Sequence, residues 1–176
     1  MRVIGLAGWS GAGKTSLMHR LIPALIVRGL RISTVKHAHH GFDIDRPGKD
    51  SWLHREAGAN EVLITSGVRW ALMHELRDEA EPGLQALLAR MQPVDLVLVE
   101  GFKRGAHPKI EVYRQANGKP PLHPADPSIV AVVTDVPLHG LDIPVLRFDD
   151  IERIADVVQS NARAVGDLDW SKQFGC

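Results

Sequence analysis

The stretch GWSGAGKTSL occupies residues 8–17 and directly follows the apolar run VIGLA at residues 3–7. Its glycines let backbone N–H groups turn toward a phosphate, and a helix that begins here directs its positive end to the same point. The stretch matches the pattern G-x-x-x-x-G-K-[ST] at Gly8, Gly13, Lys14 and Thr15. We therefore predict a strand, a phosphate-binding loop and a helix, in that order.

Two side chains of this stretch have separate expected roles. Lys14 is expected to reach the outer phosphates of a nucleotide as a point charge, and Thr15 to place its hydroxyl on Mg²⁺. A chance match is the alternative, but the strand before the motif and the helix after it are the context that the motif needs. The predicted nucleotide-binding residues here are Gly8, Ser10, Gly11, Ala12, Gly13, Lys14, Thr15 and Ser16.

A second acidic group for the metal is expected at the end of another strand. Glu100 follows Val94–Val99, the most apolar strand-like run of the chain. Parallel sheets present ligand-binding residues at the carboxyl ends of their strands, and a carboxylate there can hold Mg²⁺ directly or through water. Asp95 begins the same strand, is expected at the opposite edge, and is the weaker candidate. The alternative for Glu100 is a solvated strand end.

The polar stretch KHAHHGFDIDRPGKDS spans residues 36–51 and has three possible interpretations. Imidazoles suit zinc, nickel or copper, so His37, His39 and His40 are a candidate transition-metal site. The stretch could instead sense phosphate through its lysines and histidines, with one aspartate facing Mg²⁺, or form a plain solvated loop. Because it leaves the second strand beside the phosphate loop, the nucleotide role is favoured.

An aspartate that recognises guanine is the last candidate site residue. Asp135 closes the buried run VVTD at residues 132–135 and could accept hydrogen bonds from the guanine N1–H and N2–H₂ groups, donors that adenine lacks. The usual guanine-reading pattern [NT]-K-x-D is absent, since the residues here are TDVP. An ordinary strand-to-turn aspartate is the alternative.

Composition limits the classes of protein to consider. Among 176 residues, 21 basic and 21 acidic side chains cancel, which argues against a dedicated nucleic-acid binder. No apolar run approaches the roughly 20 residues of a membrane span, so no membrane association is expected. The one cysteine, Cys176, is the last residue and suits a reducing compartment. We expect a cytoplasmic protein with a single domain over residues 1–165 and a tail over 166–176.

Strand-like and helix-like runs alternate along the chain. This alternation predicts an α/β protein with a mostly parallel sheet between two layers of helices, a three-layer P-loop NTPase-like fold. Two runs, Glu61–Thr65 and Arg69–His74, flank Ser66-Gly67-Val68 and predict an inserted antiparallel hairpin. A helix is expected over Leu17–Arg28, another over Ile151–Val165, and an edge strand over Lys109–Tyr113.

Five segments together resemble the MobB proteins of molybdenum cofactor biosynthesis, over about residues 3–160. The resemblance implies a homodimeric GTP-binding α/β protein with at most slow GTP hydrolysis. It also implies an adapter role in forming molybdopterin guanine dinucleotide, with a MobA-type molybdopterin guanylyltransferase and a molybdenum-insertion protein as partners. The segments are GWSGAGKTSL, KHAHHGFDIDRPGKDS, SGVRWAL, LVLVEGFK and VAVVTDVPL.

The resemblance also implies a set of magnesium ligands, namely Thr15, Asp50 and Glu100, with Asp45 as an alternative to Asp50. Two other functions use the same phosphate loop. A small-molecule kinase would need a base, for which His37 or Asp43 could serve. A GTP-dependent metallochaperone would carry nickel or zinc on the histidine cluster.

Overall fold

The structure is a computed structural model that describes residues 1–38 and 41–172. It divides into two compact units. The main unit contains Met1–His37 and the chain from Leu84 onward, and the smaller unit contains Ala38–Gly83. None of the described helices is long and apolar enough to cross a membrane.

The described residues contain nine strands and four α-helices. The strands are β1 (Arg2–Ala7), β2 (Ile32–Lys36), β3 (Glu61–Thr65), β4 (Trp70–His74), β5 (Leu96–Glu100), β6 (Lys109–Tyr113), β7 (Ile129–Thr134), β8 (Val145–Arg147) and β9 (Arg163–Ala164). The helices are α1 (Lys14–Val27), α2 (Asp50–Glu56), α3 (Leu84–Ala89) and α4 (Ile151–Asn161).

One seven-stranded sheet organises the main unit. Six strands are parallel in the order β2-β5-β1-β6-β7-β8, and β9 pairs antiparallel with the start of β1. The apolar run of β5 lies between β2 and β1, which explains why four of its five residues are buried. The predicted α/β fold with a mostly parallel sheet is confirmed.

Apolar side chains at helical spacing attach α1 to the sheet. Leu17, Leu21 and Leu25 are fully buried on one side of α1, together with residues of α4 and the sheet. The helix contains Pro23 and ends before Gly29, whose φ of 84° favours glycine. A separate apolar cluster joins α3 to residues of β1 and β5.

The prediction that Lys109–Tyr113 is an edge strand was wrong. β6 lies inside the sheet, between β1 and β7, and both of its charged side chains are buried. The Lys109 ammonium lies 3.1 Å from an oxygen of Asp126 and also donates to Ser128. Glu111 accepts hydrogen bonds from the backbone N–H groups of Leu122 and His123 at 2.6 and 2.9 Å. These partners allow two charged residues in an interior strand.

The end of α4 also differs from the sequence prediction. The helix ends at Asn161 rather than at Val165, because Ala162 is extended and the next two residues pair with β1. The tail then returns to the main unit. The Trp170 indole packs against the apolar cluster around α3 and donates a hydrogen bond to the carbonyl of Val165 at 3.1 Å.

The smaller unit contains α2 and the two-stranded sheet of β3 and β4. The strands are antiparallel with Glu61 opposite His74 and Thr65 opposite Trp70, so the predicted hairpin is confirmed. Arg55 of α2 organises the polar side of this unit. Its guanidinium contacts carboxylates of three residues at 2.8 to 3.0 Å: Asp43, Asp45 and Glu75.

Candidate nucleotide-binding site

The phosphate loop, residues 8–15, connects the carboxyl end of β1 to the first turn of α1. Gly8, Ser10, Gly11, Ala12 and Gly13 precede the helix, and Lys14, Thr15 and Ser16 begin it. At Gly8 the loop passes so close to β6 that a Cβ atom would lie 2.4 Å from the carbonyl oxygen of Val112. A glycine is therefore required here to place the loop at the edge of the sheet.

Lys14 closes the phosphate loop on itself. Its ammonium donates to the carbonyl oxygens of Gly8 and Trp9, both at 2.9 Å. Burial lowers the pKa of Lys14, and the charges of Lys103 and Lys36 act in the same direction, whereas Glu100 raises it. The Lys14 ammonium therefore lies close to the Glu100 carboxylate as well as to the charges of two other lysines.

Thr15 and Glu100 meet as the sequence predicts. The Thr15 hydroxyl donates to Glu100 Oε1 at 3.0 Å, with Oε2 at 3.4 Å. The contact arises because β5 is the parallel neighbour of β1, with Glu100 opposite Leu6. A hydroxyl and a carboxylate are hard oxygen donors of the kind that Mg²⁺ prefers, so Thr15 and Glu100 are the residues that would hold a magnesium ion if one binds here.

Asp95 lies at the other end of β5 and belongs to a different interaction. Its carboxylate accepts from the Arg31 backbone N–H at 2.8 Å and faces the Arg31 guanidinium at 3.3 Å. The backbone hydrogen bond from Arg31, followed by the guanidinium, lowers the pKa of Asp95. We therefore assign Asp95 to the connection between two strands and not to the phosphate site.

The two aspartates considered as further magnesium ligands both lie in the smaller unit. Asp50 is the first residue of α2 and is exposed. Asp45 is already engaged, because its carboxylate accepts from Ser51 at 3.0 Å and from Arg55 at 2.8 Å, and its side chain is 1% exposed. These contacts favour Asp50 over Asp45, and the role of Asp50 stays a prediction.

Asp135 directly follows β7 and is held by the residues that follow β6. One carboxylate oxygen accepts from the Gln115 backbone N–H at 3.3 Å, and the other lies 3.6 Å from the Arg114 guanidinium. Arg114 also donates to the carbonyl of Ala12 at 3.4 Å and stacks on the Phe148 ring, 4.6 Å from its centre. Arg114 thus connects the phosphate loop to the predicted guanine-reading aspartate.

Sequence reasoning missed two residues that hold the phosphate loop. Arg114 is one, and Asn117 is the other, because its amide donates to the carbonyl of Ser10 at 3.1 Å. The signal that could have found them is their position just after β6. Had the sequence placed that strand beside β1, its carboxyl end would have been expected next to the loop.

The histidine cluster can be assessed only in part. His37 follows β2, and its ring centre lies 4.9 Å from that of Phe102. His39 and His40 lie outside the described residues, as does Cys176. Within residues 1–38 and 41–172, no group of three or more His, Cys, Asp or Glu side chains is arranged to hold a metal ion.

Comparisons with known proteins identify the family to which the chain belongs. Residues 3–135 match the family model described as molybdopterin guanine dinucleotide synthesis protein B, MobB. The chain belongs to the MobB family. MobB relatives described as molybdopterin-guanine dinucleotide biosynthesis adapter proteins occur in Escherichia coli K12 and Haemophilus influenzae.

The MobB relatives match over most of their length. The Escherichia coli protein is 46% identical over 159 residues, which cover 89% of this chain and 90% of the relative. The Haemophilus influenzae protein is 41% identical over 158 residues, which cover 90% of this chain and 88% of the relative. A crystal structure of molybdopterin-guanine biosynthesis protein B superimposes with a TM-score of 0.67 at 29% identity, covering 90% and 98% of the two chains.

Proposed function

We propose that this MobB-family chain binds GTP with Mg²⁺ and acts as an adapter for the attachment of GMP to molybdopterin. The observation that carries the nucleotide part is the contact between Thr15 and Glu100, beside Lys14 in the phosphate loop. The adapter part is supported by the two curated relatives, which are described as biosynthesis adapter proteins.

Guanine is the base that Asp135 favours. A carboxylate accepts hydrogen bonds and cannot donate them, which suits the two donors of guanine. The contacts that hold Asp135 are weak, at 3.3 and 3.6 Å, and its side chain is 31% exposed. A base that reaches this carboxylate would therefore replace long contacts with direct ones.

The contacts of one candidate catalytic base favour an adapter with slow GTP hydrolysis over a small-molecule kinase. Asp43, considered as a base for phosphoryl transfer, accepts from one Arg55 nitrogen with both carboxylate oxygens, at 2.9 and 3.1 Å. A carboxylate held in this way is a poor acceptor for a substrate proton. Bound GTP would then persist long enough to control a partner.

The partner in this proposal is the MobA-type guanylyltransferase, and a molybdenum-insertion protein is the next protein in the same process. We place these encounters in the cytoplasm, because a chain with a single cysteine suits a reducing compartment.

A homodimer is also part of the proposal, and one face of the hairpin supports it. Leu63 and Leu72 lie opposite each other on β3 and β4 and are 59% and 47% exposed, and Trp70 nearby is 62% exposed. Val62 and Met73, on the other face, are buried. A two-stranded sheet with apolar side chains on its open face is stabilised when a second copy covers them.

Reconstituted GMP transfer tests the adapter role directly. Purified guanylyltransferase, molybdopterin and GTP are combined with wild-type chain, with a Thr15→Ala variant or with a Glu56→Gln variant as the control. The wild type and the control are expected to increase the yield of dinucleotide, because Glu56 is an exposed residue of α2. If the Thr15→Ala chain supports the reaction equally well, nucleotide binding has no part in the function.

A further inference from the structure

Lys103 lies over the first residues of the phosphate loop, although it comes from the turn that follows β5. Its ammonium is 4.5 Å from the centre of the Trp9 ring, and Trp9 is the second residue of the loop. A second lysine, Lys119, approaches the same ring at 6.0 Å. The Trp9 indole N–H donates to the carbonyl of Pro120 at 2.8 Å, which holds the ring in place.

An unusual backbone turn directs Lys103 toward the loop. Glu100 ends β5, and the next two residues, Gly101 and Phe102, both have left-handed conformations, with φ of 100° and 47°. A side chain at Gly101 could not fit, since its Cβ would lie 2.7 Å from His37 Cβ. A positive φ is costly for Phe102 and persists only where the surroundings hold it.

Packing supplies that support. The Phe102 ring lies against the apolar cluster around α3 and is 4.9 Å from the His37 ring. Packing within the main unit therefore fixes the strained turn, which directly follows the carboxylate that meets Thr15. Backbone strain maintained at such a place is typical of functional sites.

The position of Lys103 over Trp9 brings its charge to the second residue of the phosphate loop. An ammonium on an aromatic face keeps its N–H groups available for an anion, because the attraction is to the face of the ring and needs no acceptor lone pair.

We propose that Lys103 recognises the terminal phosphate of the bound nucleoside triphosphate, with Trp9 holding it when that phosphate is absent. The proposal rests on the proposed GTP binding and adds to it a residue that distinguishes the triphosphate from the diphosphate. The third phosphate brings negative charge next to Lys14 and Lys103. The Lys103 ammonium then leaves the Trp9 ring and donates to this phosphate. Hydrolysis removes the phosphate and returns Lys103 to Trp9, so the loop differs between the two nucleotide states.

Affinity measurements with two nucleotides test the proposal. Titration calorimetry with Mg²⁺ compares a non-hydrolysable GTP analogue with GDP, for the wild type, Lys103→Ala and Lys119→Ala. The Lys103→Ala chain is expected to bind the analogue about 10- to 100-fold more weakly and GDP less than about twofold more weakly. The Lys119→Ala chain, which removes a lysine from the same ring, is expected to bind both like the wild type.

The outcomes separate this inference from the proposed function. If the wild type binds neither nucleotide, the proposal that the chain binds GTP is wrong. A different outcome is that the wild type binds both nucleotides while the Lys103→Ala chain keeps wild-type affinity for both, or loses the same factor in affinity for both. In either case Lys103 does not recognise the terminal phosphate, and only this inference is lost.

Tryptophan fluorescence gives a second readout that a purely structural role would not produce. The analogue is expected to change the Trp9 emission as the ammonium leaves the ring, and GDP is not. A Trp9→Phe chain reports the contribution of the other three tryptophans. Equal emission changes with the analogue and with GDP would overturn the movement of Lys103.

Discussion

The Thr15 hydroxyl donates a 3.0 Å hydrogen bond to Glu100, which comes 85 residues later in the chain. The hydrogen bond joins the phosphate loop to the end of β5, at the two residues that we propose as magnesium ligands. The pair brings together two residues that the sequence nominated separately, one from a local motif and one from the end of an apolar strand.

Replacing either residue is expected to remove the dependence of nucleotide binding on magnesium. With Mg²⁺, Thr15→Ala and Glu100→Gln should each weaken GTP binding at least about tenfold, and with EDTA they should change it less than about twofold. Calorimetric titrations in the two buffers provide the measurement, with Glu56→Gln as the control. Equal losses in both buffers would show that the pair supports the loop and does not bind the metal.

Removing the Lys14 ammonium is expected to weaken GTP binding with or without the metal. Lys14→Ala deletes a charge-assisted contact of about 1.5–3 kcal/mol, which corresponds to roughly 10- to 150-fold in affinity. Equilibrium binding of a fluorescent GTP analogue measures the change, and Lys172→Ala at an exposed ion pair is the control. Wild-type affinity in the Lys14→Ala chain would remove the phosphate loop from nucleotide binding.

Base selectivity is expected to change when Asp135 loses its charge. In Asp135→Asn, the amide donates where the carboxylate accepted, so GTP should bind at least about tenfold more weakly. XTP should bind better than it does to the wild type, because xanthine has a carbonyl in place of the guanine amino group. Competition among GTP, XTP and ATP is the assay. Unchanged preference in the variant would mean that Asp135 does not read the base.

Acid is expected to destabilise the protein through His107. This side chain is fully buried, and neither ring nitrogen has a hydrogen-bond partner among the described residues. Burial, with the nearby Lys109 charge, lowers the pKa of His107 from 6.5 to about 3, and Asp126 opposes this only in part. Between those values the unfolded chain binds a proton that the folded chain does not, so stability is full above pH 6.5 and falls as the pH decreases toward 3.

From this group alone the free energy of unfolding should be about 2 kcal/mol lower at pH 5 than at pH 7. Urea unfolding at the two pH values measures the difference. His107→Leu should lose most of it, while His139→Leu, at an exposed histidine, should keep it. The same pH dependence in all three proteins would contradict the assignment to His107.

Charge on the open face of the hairpin is expected to separate the proposed homodimer. Leu63→Glu with Leu72→Glu places two carboxylates where apolar side chains are exposed, and like charges facing each other across two copies oppose association. Sedimentation equilibrium should give the mass of one chain for this variant and of two chains for the wild type. Val27→Glu, at an 88% exposed residue of α1, is the matched control.

The parts of the fold and site that local sequence determines could be predicted. The phosphate loop is one continuous motif, and Glu100 ends a run whose apolar character by itself indicates an interior strand. Both predictions needed only the neighbours of each residue in the sequence.

Long-range partners explain what the sequence did not reveal. Lys109 and Glu111 alternate with apolar residues, a pattern typical of a half-exposed strand. Both are nevertheless buried, because the loop of residues 119–128, which contains four prolines, supplies their partners. With β6 misplaced at the edge, Arg114 could not be recognised beside Ala12, 102 residues away. The role of Lys103 likewise depends on a turn that only the structure reveals.

The pairing of β1 has a consequence for how the protein is made. This strand is synthesised first, but its neighbours β5, β6 and β9 all come later, and β9 ends at Ala164. While the chain grows on the ribosome, the strand that carries the phosphate loop has no partner to pair with until β5 emerges. Its first residues, Arg2 and Val3, acquire their second neighbour only when β9 has been made. The end of β1 that leads into the phosphate loop therefore gains both of its neighbours once β6 has been made, whereas its first two residues wait for β9.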